Sequence, residues 1–342
     1  MIRLVLPLTC AALPLCAAIS HAHHSPAAFD MSRRIVVDGT VAKLEWKNPH
    51  SYLVLETTGE DGRPQLREVE LAGIATVQTT GLQREHLAPG THVVVTGSPH
   101  RRDPAGKMIG SSVTLDDGSV YAMNPGAAAE VTLEPAQSLA GLWAPRSSDF
   151  IRLATTVPTW PLTAAARAAQ ADPRAVARAT ASCEWSGGPT YMVLQVLRAI
   201  EIGEREVTIT IDSLGVRQVR TVHLNEARHP DDVEPSLLGY SLGHWEGDAL
   251  VIDTRGFAPD PAGIGFGVPS GAGKRMVERL ALAADRRHIE YSFTLEDPEY
   301  LAEPVSFSSV WEHRPELSIS SEAEPCDPEI AARFLEDLSV SR

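Results

Sequence analysis

The stretch from Leu238 to Phe257 constrains the fold most, because it predicts a β-hairpin. Trp245 closes one strand, Glu246-Gly247-Asp248 supplies the turn, and the apolar run from Ala249 to Ile252 opens the next strand. Glycine beside aspartate favours such a turn because glycine tolerates the positive φ that tight turns require. We therefore interpret most of the chain from Ser138 onward as strands added to this hairpin.

Apolar and polar residues alternate in the strands around this hairpin. The alternation is clearest at Val207, Ile209 and Ile211, at Ile289, Tyr291, Phe293 and Leu295, and at Val305, Phe307 and Trp311. Period-two patterning over about eight strands, with no helices between them, predicts an antiparallel barrel or sandwich. Together with a Gly-x-Trp start at Gly141, it favours a larger antiparallel calycin/lipocalin-like barrel. Short helices are expected over Thr163–Ala181, capped by Thr163, and after Asp327.

The first half of the chain predicts a separate, smaller barrel. Strands are expected from Gly39 to Trp46 and from Ser51 to Thr57, around an Asn48-Pro49 corner where proline cannot donate to a sheet. Short strands with one helical insert are typical of a small OB-like barrel. The predicted organisation is mainly β: a signal peptide (1–22), the OB-like domain (23–123), a linker rich in Ala, Gly and Pro (124–137) and the calycin-like domain (138–342).

The amino terminus and the net charge indicate an exported protein. Arg3 precedes an apolar run from Leu4 to Ile19, and Ser20-His21-Ala22 places small residues where signal peptidase cleaves. Cleavage after Ala22 predicts a periplasmic or secreted protein with no transmembrane segment after signal removal. The formal net charge of -14 repels phosphate backbones and anionic lipid, so nucleic acid is not expected as a partner.

Cys183 and Cys326 are the two cysteines that remain after cleavage. In an oxidising compartment, two remaining cysteines predict one disulfide. The bond would close a loop of about 140 residues, which in the chain-entropy model stabilises the fold by roughly 5 kcal/mol.

The same cleavage would expose a mature terminus that begins with His23 and His24. An α-amine and the imidazole of the same residue chelate copper, and a third nitrogen completes a histidine brace, a ligand set that favours Cu(II). His50 is the expected third ligand; a variant uses the amine, the next amide and His24. The alternative is a terminus that binds metals only adventitiously.

Inward-facing charges are predicted in the second barrel. If Val222 faces the core, Arg220 does too, and Glu278 lies between Met276 and Leu280 in the same way. A buried charge without compensation is very costly, so these two should be paired. They either orient a polar ligand or move a proton in a pocket, or they form a structural ion pair at the barrel end.

Further candidate residues lie in or near the hairpin. Asp253 shares the face of Ala249, so its role is ambiguous in the same way as those of Arg220 and Glu278. With Glu278, the residues Asp253, His244 and Tyr240 are candidates for acid-base catalysis. Tyr240 and Trp245 are also candidates, with Arg220 and Glu278, for contacts to a ligand in the barrel.

The chain resembles, over nearly its full mature length, an uncharacterised group of exported bacterial two-part proteins. In the first half the resemblance rests on His23-His24-Ser25, Trp46-Lys47-Asn48-Pro49-His50 and Leu87-Ala88-Pro89-Gly90. In the second half it rests on the motif from Gly239 to Phe257, a specific match. Tyr240 stands where the group has a histidine, His244 where it has an arginine, and Ser270 where it has a second histidine. If those two histidines serve chemistry in the group, this chain has lost that chemistry or rebuilt it around Tyr240 and His244.

Two classes of function follow from these observations. The first is an exported binding protein whose barrel holds a small, partly apolar ligand and whose histidines bind copper. The second is a periplasmic enzyme, either copper-dependent and oxidative or an acid-base hydrolase or isomerase in the second barrel. The metalloprotease motif His-Glu-x-x-His does not occur in the sequence, and binding is therefore favoured over catalysis.

Overall fold

Two closed barrels follow each other along the described part of the chain. The computed structural model describes residues 28–59, 61–123, 132–171, 183, 187–319 and 324–332. The fold-class prediction is confirmed, because a small OB-like barrel precedes a larger calycin-like barrel and the helices are few and short. In these ranges no helix is long and apolar enough to cross a membrane. The predicted signal peptide lies outside them.

The front barrel is closed by a parallel pairing between its third and fifth strands. Its strands are β1 (Ile35–Glu45), β2 (Ser51–Thr58), β3 (Pro64–Leu71), β4 (His92–Pro99), β5 (Lys107–Leu115) and β6 (Val120–Ala122). The sheet order is β3-β2-β1-β4-β5-β6, and the additional β3–β5 pairing closes five of the strands into a barrel. Helix α1 (Ile74–Gln78) and a 3-10 turn (Arg84–Leu87) connect β3 to β4.

Apolar side chains fill the front barrel. Alternate residues of each strand point inward, as expected of a pleated sheet with one buried face. Fully or almost fully buried core residues are Val41, Leu53, Leu55, Val69, Leu71, Val93, Val95 and Val113. Ile74 and Val77 of α1 extend this core.

The rear barrel has nine strands within the described residues. They are β7 (Gly141–Pro145), β8 (Arg198–Ile202), β9 (Glu206–Ser213), β10 (Val216–His223), β11 (Tyr240–Glu246), β12 (Ala249–Arg255), β15 (Arg275–Leu282), β16 (His288–Glu296) and β17 (Val305–His313). Two further strands, β13 (Asp260–Gly265) and β14 (Val268–Ser270), pair separately. The predicted hairpin is β11–β12: Trp245 lies opposite Leu250, and Gly247 in its turn has a φ of 61°.

One strand pair departs from the expected antiparallel pattern. β10 and β11 run parallel, with Val222 opposite Ser241 and His223 opposite Leu242. After the connection over residues 224–239, β11 begins beside the last two residues of β10 and continues past them in the same direction. The other neighbouring pairs of this barrel are antiparallel.

Short helices pack on the rear barrel as expected. They are α2 (Ser147–Thr156), α3 (Ala164–Ala171) and α4 (Thr190–Val193). The Thr163 hydroxyl accepts the N–H of Ala166 at 3.3 Å, which confirms the predicted cap. The rest of the predicted helix, residues 172–181, lies outside the described residues. Asp327 caps a terminal helix described over 328–332 by accepting the N–H of Glu329 at 2.9 Å.

Cys183 and Cys326 form the predicted disulfide. Of the predicted linker, residues 124–131 lie outside the described residues. Residues 132–137 lie along the rear barrel, where Ala136 is buried and its N–H donates to the carbonyl oxygen of Arg286 at 2.7 Å.

Candidate functional site

Arg220 and Glu278 meet inside the rear barrel, as the alternation predicts. Arg220 lies on β10 and is 2% exposed, and Glu278 lies on β15 and is 1% exposed. Arg220 Nη1 donates to Glu278 Oε1 at 3.1 Å, and Nη2 donates to Glu278 Oε2. The pair is therefore a bidentate, fully desolvated ion pair.

Three hydroxyl groups complete the network around this ion pair. Arg220 Nε donates to Ser241 Oγ at 2.9 Å, and Nη2 donates to Thr254 Oγ1 at 2.6 Å. Tyr291 Oη donates to Glu278 Oε1 at 2.9 Å. Burial, followed by the nearby Glu278 charge, raises the pKa of Tyr291 well above its ordinary value, so the phenol stays a neutral donor. The two charges are satisfied internally, which favours a structural ion pair over a ligand-orienting one.

Arg198 is a second buried cation, and the sequence analysis missed it. Its Nη1 donates to the carbonyl oxygen of Val196 at 2.8 Å, and its Nη2 to those of Tyr191 at 2.5 Å and Leu194 at 3.0 Å. The guanidinium also lies 5.0 Å from the centre of the Trp311 ring. Burial lowers the pKa of Arg198 to about 9. Arg198 precedes Ile200 and Ile202 at a spacing of two residues, and this pattern could have predicted that its side chain faces inward.

Lys274 is a third buried cation and lies beside Ser270. Its Nζ donates to Ser270 Oγ at 2.9 Å and to the carbonyl oxygen of Gly188 at 2.8 Å, and it lies 4.3 Å from the centre of the Phe257 ring. Burial lowers the pKa of Lys274 to about 8. Ser270, at the position where the resembling group has a histidine, therefore anchors a lysine. No sequence pattern around Lys274 signals this contact.

Tyr240 and Asp253 lie on the outer wall of the rear barrel. Tyr240 Oη donates to Glu226 Oε2 at 2.7 Å, and its ring stacks on His223 with 4.5 Å between centroids. Burial and the Glu226 carboxylate raise the pKa of Tyr240 to about 12. Asp253 accepts hydrogen bonds from Arg275 Nε at 3.0 Å and Nη2 at 2.9 Å.

The candidate catalytic residues are not gathered at one point. Glu278 lies inside the barrel, whereas Asp253 and Tyr240 lie outside it. His244 is exposed, and its Nε2 lies 3.4 Å from Glu246 Oε1 on the same strand. In this arrangement no two of these four residues are placed to act as acid and base on the same substrate atom.

Trp245 lies at one end of the rear barrel, on the inner face of its wall. It is directly opposite Leu250, which is fully buried, yet Trp245 itself is 40% exposed. Ile202, at the end of β8, is likewise opposite a buried core residue and is 38% exposed. Leu224 lies between them and packs against the barrel core. We call this end, lined by Ile202, Leu224 and Trp245, the mouth.

His50 lies at the corner between β1 and β2 of the front barrel. Its Nδ1 is 2.7 Å from Oε1 of the buried Glu70. His23 and His24 lie outside the described residues, so the predicted copper site stays a prediction. Among the residues that the structure describes, no group of three His, Cys, Asp or Glu side chains could hold a metal.

One protein-family model matches the front part of the chain. The model of a family of unknown function, DUF6152, matches residues 12–110. The front part therefore resembles an uncharacterised family. This agrees with the expected resemblance for the first half, since the match contains the Trp46 to His50 corner. A search of curated proteins finds no match.

Similar solved structures are remote. One, described as "Molecular basis for abrogation of activation of pro-inflammatory cytokines", is 11% identical and covers 59% of this chain and 81% of its own, with a TM-score of 0.15. Another, "Crystal structure of Ifi202 HINa domain in complex with 20bp dsDNA", is 7% identical and covers 84% of this chain and 98% of its own, also with a TM-score of 0.15. Likenesses at this TM-score support no argument about fold or function.

Proposed function

We propose that the protein is an exported periplasmic binding protein whose rear barrel takes a small, partly apolar ligand at the mouth. The observation that carries the proposal is Trp245, a large aromatic side chain that faces the barrel interior and is 40% exposed. Exposed apolar surface beside polar residues is typical of a binding site, and tryptophan is a common anchor there.

The polar groups around the mouth indicate which ligands suit it. Deeper in the barrel, Arg220 and Glu278 satisfy each other, so they offer no unpaired charge to a ligand. Beside the mouth, the β8–β9 hairpin carries three exposed carboxylates, Glu201, Glu204 and Glu206, against one exposed arginine. A negatively charged entrance favours neutral or cationic molecules over anions. We therefore propose a neutral or cationic ligand with an apolar portion.

Titration of the mature protein with Nile red, a neutral apolar dye, tests this site. We expect saturable fluorescence enhancement, weakened about tenfold or more by Trp245→Ala because the largest apolar contact is removed. Val219→Ala is the matched control, since Val219 is 52% exposed on β10 and lies outside the mouth. Equal affinities of the Trp245→Ala variant and the unchanged protein would exclude the mouth as the binding site.

A second function, copper binding at the front barrel, is favoured by the contact between His50 and Glu70. Metal-ligating histidines commonly hold a carboxylate on one ring nitrogen while the other binds the metal. Glu70 lies 2.7 Å from His50 Nδ1, so a metal would be coordinated through Nε2. With cleavage after Ala22, His23 and His24 would supply the remaining nitrogens. Bound copper would supply oxidative chemistry, which is one of the two enzyme alternatives for this chain.

Copper binding is tested on the exported protein, whose first residue is read by mass spectrometry. With His23 as that residue, we expect stoichiometric Cu(II) binding that His50→Ala weakens strongly and Glu70→Gln weakens by about 10–100-fold. His92→Ala is the control, because His92 is a partly exposed histidine on β4 of the same barrel. A different first residue, or an affinity insensitive to His50→Ala, would refute the proposed brace.

A further inference from the structure

The Asn48 corner of the front barrel holds a C-terminal segment of the chain. We call residues 324–327 the strap. Asn48 is 3% exposed, and its Nδ2 donates to the carbonyl oxygen of Glu324 at 2.8 Å. The main-chain N–H of Asp327 donates to the carbonyl oxygen of Asn48 at 2.8 Å. Asn48 Oδ1 accepts the N–H of Ile74 at 3.1 Å, which orients the amide toward the strap.

The other side of the strap lies against the rear barrel. The N–H of Cys326 donates to the carbonyl oxygen of Leu214, in the turn between β9 and β10, at 3.1 Å. The next residue, Gly215, has a φ of 74°, and a Cβ there would lie 2.1 Å from the carbonyl oxygen of Glu324. The turn and the strap are therefore in close backbone contact, and the strap touches both barrels.

Cys326, in the centre of the strap, is the residue that carries the disulfide to Cys183. Cys183 belongs to the stretch between α3 and α4 of the rear barrel. The remaining attachments of the strap are hydrogen bonds and the long ion pairs of Glu324 with Lys47 at 3.7 Å and Arg84 at 3.6 Å. Such contacts are individually weak because each replaces a contact with water.

A second contact joins the barrels away from the strap. Arg314 Nη1 donates to the carbonyl oxygen of Thr79 at 2.7 Å, and Arg314 is buried. Gln195 Nε2 also reaches Thr79 Oγ1, at 3.5 Å. This contact does not involve either cysteine, so it would remain when the strap is released.

We propose that the Cys183–Cys326 disulfide is a redox latch that holds the strap in the Asn48 corner and thereby adds a releasable contact between the two barrels. A dithiol reductant would open the latch. Two electrons and two protons pass to the cystine, the S–S bond breaks, two thiols form, and the dithiol is oxidised to its own disulfide. The strap then leaves the corner, while the barrels stay connected through Thr79 and Arg314.

Hydrogen exchange measured by mass spectrometry on the full-length protein tests the latch. The amides of Cys326 and Asp327 report directly, because their partners are Leu214 and Asn48. With dithiothreitol, we expect their exchange to accelerate roughly tenfold or more, and that of Ile74 to rise as well. Strands β15 and β16 should exchange at an unchanged rate. Cys183→Ser should reproduce the reduced pattern without any reductant.

An oxidised Asn48→Ala variant separates the corner from the disulfide. It removes the side-chain partner of the Ile74 N–H and should accelerate exchange there, while Cys326 stays protected at Leu214 because the covalent bond still holds the centre of the strap. Two results would overturn the proposal. One is unchanged protection of Cys326 and Asp327 after reduction. The other is acceleration throughout both barrels, which would make the disulfide a general stabiliser and not a latch.

Discussion

The two barrels treat ionisable groups differently. In the described residues, the front-barrel core consists of apolar side chains such as Leu53 and Val95, and its one buried charged side chain, Glu70, meets His50 at the corner between β1 and β2. The rear barrel buries Arg198, Arg220, Glu278 and Lys274. A five-stranded barrel is filled by short apolar side chains, whereas nine strands enclose a wider interior that long side chains can cross.

The comparison shows how a wide barrel can hold charge without a ligand. Arg220 is paired with a carboxylate, whereas Arg198 is held by main-chain carbonyls and an aromatic ring. Burying a charge is tolerated only with such compensation. The charges of Arg220 and Glu278 are thus satisfied inside the rear barrel, although the nitrogens Arg198 Nε and Trp311 Nε1 are buried there without a hydrogen-bond partner among the described residues. The exposed Trp245 lies at the mouth.

The largest effect is expected from breaking the buried pair. Arg220→Met leaves Glu278 buried without its cation, so we expect the free energy of unfolding to fall by about 3–5 kcal/mol in urea denaturation. Adding Glu278→Leu should recover much of that loss, because neither charge is then buried. Arg279→Met, which breaks the exposed pair with Glu246 at 3.0 Å, should cost about 0–1 kcal/mol. Equal losses for the two single variants would contradict the proposed difference between them.

Intermediate effects are expected at one glycine in each barrel. A Cβ at Gly97 would lie 2.0 Å from the main-chain oxygen of Ile109, whereas at Gly243 it would lie 2.5 Å from a methyl group of Val222. Side chains can shift more easily than the backbone of a paired strand. We therefore expect each Gly→Ala substitution to lower the free energy of unfolding by roughly 1–3 kcal/mol, with the larger loss for Gly97→Ala than for Gly243→Ala. The two losses are measured as shifts of the urea denaturation midpoint, which can be compared when both variants unfold with the same m-value. The reverse order would mean that the rear barrel is packed more rigidly than the front one.

The smallest effects are expected from two histidines whose pKa values shift in opposite directions. Hydrogen bonds to Asp38 and then Asp116 raise the pKa of His92 in the front barrel. Burial lowers the pKa of His229 beside the rear barrel. Stabilisation by His92 is therefore present below its unfolded pKa and is lost as the pH rises through its folded pKa. Stabilisation by His229 is present above its unfolded pKa and is lost as the pH falls through its folded pKa.

Histidine ring resonances followed by NMR against pH measure both groups. The His92 midpoint should lie above about 6.5 and that of His229 below it. Asp38→Asn should move the midpoint of His92 downward and leave that of His229 in place. Midpoints on the same side of the ordinary value would show that the two environments do not differ as described.

Much of the fold could be predicted from the sequence because strand alternation is local. The same alternation identified Arg220 and Glu278 as inward-facing, since each shares a face with apolar neighbours two residues away. The parallel β10–β11 pair could not be predicted, because its direction depends on the path of residues 224–239 and not on either strand.

The contacts that escaped prediction join distant parts of the chain or involve main-chain atoms. Asn48 and Glu324 are 276 residues apart, and the bond uses a carbonyl oxygen that every residue possesses. Arg198 is likewise held by the carbonyl oxygens of α4 and its connection. The sequence around Asn48 therefore predicted His50 as a metal ligand, whereas no sequence pattern indicated the contact between Asn48 and the strap.

The most direct test of the account distinguishes the mouth from the barrel interior. The chain has six tryptophans, so labelling with 5-fluorotryptophan gives separate ¹⁹F signals that single Trp→Phe variants assign. On addition of Nile red, the account predicts that the Trp245 signal shifts with a saturable profile while those of the buried Trp143 and Trp311 do not move. A shift at Trp143 or Trp311 with an unmoved Trp245 would contradict it.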